Sequence, residues 1–199
     1  MNYPAFFDHV EPIVVHDSLS GFLGTFEGGA YAFSYLEIVK SAGHSCPTVA
    51  GAYLLAREGL KALYGDAPAN RGDIHVAFAQ AQTEGVAGVI GAVFSNITGA
   101  TTDFGFKGIG GKFDRTGLMS FQAEINSSVR LTRLDTKEVV DVFYDPSRIP
   151  ADPQMQPLMQ KIMQGAGNEA EQQQFGQLWQ ARVEQIFANV DQVIRIQKY

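Results

Sequence analysis

The residues best able to do chemistry lie in one stretch, Gly43-His44-Ser45-Cys46-Pro47-Thr48-Val49-Ala50-Gly51. It holds the only cysteine of the chain, with a histidine two residues before it and a proline directly after. Proline is favoured at the first position of a helix, where its missing N–H costs nothing. The run from Thr48 to Tyr64 is apolar-periodic, so the spacing predicts a helix opening at Pro47 with Cys46 at or beside its N-cap. A helix start leaves backbone N–H groups unpaired and carries the positive end of the helix dipole. A thiol in that setting favours the thiolate, the form that binds a metal or attacks an electrophile. His44 falls one step outside the helix, near enough to share a ligand, and a histidine with a cysteine at one helix mouth makes half of a zinc-type or nickel-type site. The structural alternative stands beside this: a lone cysteine is usually a small buried hydrophobe, and a loop histidine often only bonds the backbone.

Two further histidines and a glycine-rich loop bear on the same question. Ile13-Val14-Val15-His16-Asp17 reads as a short β run ending in a histidine and an N-capping aspartate. His16 either joins His44 in one site or simply orders the end of a strand. His75 faces opposite to Ile74 on an expected strand and reads as a surface residue. The loop from Gly99 to Lys112 carries five glycines but fails as a phosphate-binding loop, because Phe106 and Phe113 stand where a glycine and a Ser/Thr are required. It fails as a dinucleotide fingerprint too, since Phe113 occupies the third glycine position. Lys107, Lys112 and Arg115 then read as anion-binding or, more simply, as solvated basic residues.

The elements that must position these residues follow from periodicity and punctuation. Ser18 to Gly24 is a short helix, Tyr31 to Phe33 a short strand, and Ser34 caps a helix over Tyr35 to Ala42 with Glu37 completing a capping box. Gly65 ends the helix that opens at Pro47. Asp73 to Gln80 reads as a strand and Glu84 to Thr98 as a helix rich in small residues. Leu118–Ile125, Ser128–Leu134 and Glu138–Tyr144 alternate apolar and polar residues, which predicts a three-stranded antiparallel meander. Prolines 146, 150, 153 and 157 then break regular structure. Gln156 to Gly165 and Glu169 to about Gln197 read as helices, the second with an apolar stripe from Phe175 to Ile194 that needs a partner. The fold class is α+β: a helix-strand-helix-three-strand core with a mixed or antiparallel sheet packed by helices, over residues 1–150. A C-terminal helical extension, 151–199, packs on that core or on a second copy of the chain.

Composition narrows the partners. The chain has 199 residues, 45% of them hydrophobic, and a net charge of −6, which suits a globular protein with a sizeable core. An acidic chain without a Lys/Arg cluster argues against nucleic-acid and anionic-membrane partners. One cysteine excludes an intrachain disulfide and a cysteine-only metal cage, and suits a reducing compartment. The N-terminus lacks a basic region followed by an apolar one, so no signal peptide is expected and the location is read as cytoplasmic.

The segment Ala42-Gly43-His44-Ser45-Cys46-Pro47-Thr48-Val49-Ala50-Gly51-Ala52-Tyr53 is similar to the Gly-His-x-Cys-Pro-Gly-x-x-x-Gly-Tyr signature of one family, the E-type subunits of formylmethanofuran dehydrogenase. Ser95-Asn96-Ile97-Thr98-Gly99-Ala100-Thr101 resembles that family's Thr-Gly-Cys-Thr segment, with Ala100 where many members have cysteine. The resemblance runs from about His16 to Tyr144. It implies an α+β fold and a divalent transition metal, zinc first and nickel as the alternative, held by His16, His44 and Cys46. The C-terminal zinc ribbon of many relatives is missing, which leaves three protein ligands and an open position, the pattern of a reactive zinc site. Asp17 and Glu84 are the acids considered as bases or outer partners of such a metal.

Three functions compete at this level. The first is a metal-binding protein with a small-molecule pocket. The second is an accessory protein of a larger complex or a metal chaperone, without its own catalysis, docking through its apolar C-terminal stripe, for which a homodimer is expected. The third is a metal-free enzyme using Cys46 as nucleophile and His44 as base.

Overall fold

The computed structural model describes residues 2–199. The chain is α+β, with two sheets packed by helices. The first sheet has three strands in the order β2-β1-β3, where β1 is Ile13–His16, β2 Ala30–Phe33 and β3 Ala69–Asn70. β1 runs antiparallel to β2 and parallel to β3. The second sheet has five strands in the order β5-β4-β6-β7-β8, formed by β4 Ile74–Ala77, β5 Met119–Ser120, β6 Val129–Arg133, β7 Val139–Tyr144 and β8 Ile194–Lys198. The helices are α1 Ser18–Phe22, α2 Tyr35–Ala42, α3 Pro47–Tyr64, α4 Ala87–Thr98, α5 Met155–Met163, α6 Glu169–Ala188 and α7 Val190–Val193.

α3 is the axis of the molecule. Its residues Val49 to Ala56 are all buried, a helix apolar on every side, as expected of one surrounded by other elements. Two glycines let the second sheet come close. A Cβ on Gly51 would fall inside the Tyr144 ring, and one on Gly59 would collide with Leu131. The Tyr144 hydroxyl donates to the Pro47 carbonyl at 2.7 Å, tying the end of β7 to the first turn of α3. On the other flank Tyr53 donates to the carbonyls of Glu11 and Phe33, which pins the N-terminal segment and β2.

Several boundaries follow local chemistry as anticipated. Ser34 and Glu37 form the reciprocal capping box of α2, and Gly43 closes that helix with φ of 78°. Gly65 closes α3 and Gly99 closes α4, both at positive φ. Two expectations are corrected. The segment after Leu118 is not the first strand of a meander: only Met119–Ser120 is strand, and it pairs in parallel with β4 at the sheet edge. Gln122, at φ of 59°, turns the chain out of the extended region and ends it. The last antiparallel strand is instead β8, in a stretch expected to be helical. Asn189 ends α6, and the β-branched residues of the tail pair along β7 from Val140 to Tyr144.

The apolar stripe of α6 turns inward. Val183 and Ile186 are fully buried, and Trp179, Phe187, Val190 and Ile194 pack against the core of the same chain. The partner that the stripe demanded is therefore supplied within the chain, and the segment after residue 150 adds both a helix layer and an edge strand to the main fold.

Candidate functional site

The Gly43–Tyr53 motif folds as its residue types require. Cys46 is the N-cap of α3, in extended backbone, with Pro47 in the first turn. Val49 donates its N–H to Cys46 Sγ at 3.4 Å, so the thiol takes the place of a capping oxygen. Cys46 is 9% exposed. The preceding residue is clamped from two sides: Ser45 Oγ shares a hydrogen bond with the Tyr35 hydroxyl, and its carbonyl accepts from Trp179 Nε1 and Gln180 Nε2. α2 and α6 thus fix the mouth of α3. Burial drives the Tyr35 and Tyr144 hydroxyls well above the ordinary phenol range, so both remain neutral. His44 is exposed, and its Nδ1–H donates to the Ala42 carbonyl at 3.0 Å.

His16 is elsewhere in its bonding. It ends β1, half-buried, with its ring beside Gly29. Its neighbour Asp17 caps α1 through the N–H groups of Leu19 and Ser20 and is 3% exposed. Arg71 Nη1 and Arg115 Nη2 each donate to the Asp17 carboxylate, at 2.9 and 2.8 Å. Burial is the largest single influence on Asp17 and pushes its carboxyl up. The Arg71 hydrogen bond, the Arg115 charge and the Ser20 N–H together outweigh it and hold the carboxyl below its ordinary value. Arg115 is 6% exposed, so it is not one of the solvated basic residues of the glycine-rich loop. It anchors that loop to the start of α1. Glu84, the other acid considered as a base, accepts from the Ala81 N–H and closes a turn before α4.

Among the described residues, no three His, Cys, Asp or Glu side chains are grouped so as to hold a metal ion. His16 stands at the end of β1, and His44 and Cys46 stand just before and at the start of α3.

What the fold does assemble at the mouth of α3 is a cleft of about 1000 Å³. Its apolar lining reaches the core through Leu55 from α3, Phe78 after β4 and Ala87 from α4, joined by the half-buried Phe143 from β7. Hydrogen-bonding groups rim it: Thr48, Gln80, Asn126, Ser128 and Tyr144. Thr48 stands in the first turn of α3, where backbone N–H groups lack intrahelical acceptors. The two cations of the rim are engaged. Arg148 pairs with Asp145 at 3.2 Å, and the Arg195 guanidinium lies 3.5 Å over the Phe143 ring. Sequence reading misses this cleft because its walls come from elements far apart in the chain. Only the Pro47–Gly51 motif marks one of them.

No protein-family model matches the chain, and no curated protein does. Among the described residues, no helix is long and apolar enough to cross a membrane.

Proposed function

We propose that the protein binds a small organic molecule in the cleft at the amino end of α3. The observation that carries this reading is the cleft itself. It is the size of a small-molecule site, its apolar lining reaches the core, and a few amides and hydroxyls converge on it. Its two arginines are matched in number by Asp145 and Asp191, so the ligand is recognised through hydrogen bonds and ring contacts rather than net charge. A thermal-shift screen of a small-molecule library tests it, run in parallel on the wild type and on Thr48→Phe, which fills the cleft from a half-exposed position. Compounds that stabilise the wild type and not the variant support the reading. Compounds that stabilise both equally, or none at all, count against it.

Metal binding is the second reading, favoured by one detail at His44. Its Nδ1–H is held by a backbone carbonyl, which leaves Nε2 as the free lone pair, the way ligating imidazoles are commonly oriented. Cys46 two residues on would be the further donor, zinc the first metal to test and nickel the second. Metal content by mass spectrometry on tag-free protein decides it. About one metal per chain, lost in His44→Ala and in Cys46→Ser, supports the reading. Folded metal-free protein with no affinity for added zinc or nickel contradicts it. A reducing, cytoplasmic setting, suited to one buried unpaired thiol, belongs to the same proposal.

A further inference from the structure

Several exposed apolar residues belong to one loop and the helix beside it. The glycine-rich segment 101–117 is a finger held at its base by hydrogen bonds from Thr101 to the Arg115 carbonyl and from Arg115 to the Phe106 carbonyl. Its tip is a tight turn in which Ile109 and Lys112 exchange backbone hydrogen bonds across Gly110 and Gly111, both at positive φ, as a two-residue hairpin turn requires. Although anchored, it holds Phe104 at 68%, Phe106 at 40% and Ile109 at 46% exposure. Beside it lies α4, whose twelve residues include no charge and whose outer side presents Val89 and Ala92 to solvent. Between the two runs a groove of about 320 Å³, lined by Gly88, Ala92, Phe104, Met119 and Phe121 and also by polar side chains of α4 and the segment's base such as Ser95 and Thr102. Apolar side chains left exposed on an ordered element mark an interaction site.

We propose that this face docks a second copy of the chain about a two-fold axis. Charge selects that occupant. The chain carries −6, so two copies repel over most of their surfaces. The finger is balanced, with exposed Lys107 and Lys112 against exposed Asp103 and Asp114. A two-fold contact, in which each patch meets itself, sets the lysines of one copy against the aspartates of the other. An anionic membrane or a nucleic acid would need a surplus of cations here, and there is none. Shape agrees: Phe104 projects beside a groove lined by small residues, so each copy offers both the projecting ring and the slot that receives it. The face thus takes over the role that the C-terminal stripe was expected to play.

Sedimentation velocity on the full chain, over a concentration series, tests this. A concentration-dependent dimer is expected, with Phe104→Asp and Ala92→Glu each weakening it by about 30-fold or more. Met163→Asp, at an 82% exposed site on α5, should leave it unchanged. Should either variant lose its fold by circular dichroism, Phe104→Ser replaces it and should weaken the dimer likewise. A wild type that stays monomeric into the high micromolar range overturns the proposal. So does a dimer indifferent to the folded variants, or a monomer that instead co-sediments with phosphatidylserine vesicles.

Discussion

The Asp17 junction and the cleft at the mouth of α3 use similar residues to opposite ends. At the junction every feature closes inward. One carboxylate accepts from two backbone N–H groups and two guanidiniums, and the three charged side chains are mostly buried. The Nε atoms of Arg71 and Arg115 and the Ser20 hydroxyl are left without a partner. At the cleft, hydroxyls and amides stand beside an apolar lining, and the arginines are tethered at the rim. Pairing charge in a mostly buried cluster holds elements together. Lining a concavity with neutral polar and apolar side chains prepares a surface for something else. A cluster of charged residues is therefore the poorer guide to function in this molecule, and a concavity of mostly neutral residues the better one.

Substitutions can break that contrast. Asp17→Ala should be the most damaging, costing about 3–5 kcal/mol, because it strands the buried Arg115 charge. Its effect belongs to unfolding by denaturant, and a loss below about 1 kcal/mol would show that the junction is not the anchor described. Gly51→Ala comes next, at about 1–3 kcal/mol, since the Tyr144 ring already occupies the space. It should also disturb ligand binding, because Tyr144 walls the cleft. A variant of wild-type stability would mean that the ring moves aside freely.

Acid should act in two stages. Burial lowers the pKa of His75 from its ordinary 6.5, so folding favours the neutral ring. That contribution is present above 6.5 and is lost as pH falls through the lowered value. Asp17 and Asp141 are both held below their ordinary 3.8, Asp141 mainly by its hydrogen bonds from Arg130. Their contribution is present above 3.8 and is lost only as pH falls through their depressed values. Melting temperature against pH should decline gently below 6.5 and steeply in strong acid, and His75→Gln should remove the first stage alone. Stability that rises between about pH 7 and 5 would contradict this assignment. The smallest effect is expected at Thr48→Ala, within about 0.5 kcal/mol for folding yet measurable in ligand binding. A large folding loss there would make Thr48 structural.

The sequence anticipates what depends on neighbours in the chain. Ser34 and Glu37, Cys46 and Pro47, and the terminal glycines 43, 65 and 99 all act within one turn, so each boundary is readable from residue type. Partnerships across the fold are not readable in this way. Asp17 meets Arg115 at a separation of 98 residues, and nothing in either segment announces the other. The tail reads as helix because Val190 and Ile194 extend the stripe of α6, and only the open edge of β7 makes its last residues strand. Alternation alone makes His75 a surface residue, but the sheet face it occupies is half-covered. The ligand role of His16 rests on a resemblance, whereas the structure leaves His16 beside Gly29 at the end of β1.

The most direct test of the central claim is to map binding on the backbone amide resonances by NMR, using a fragment library of small neutral heterocycles as the probe. The account predicts that the shifts caused by most hits cluster on Thr48, Gln80, Ser128 and Phe143, with the Asp17 junction unmoved. Hits scattered over the surface, or gathered at the junction while the cleft stays silent, would contradict it.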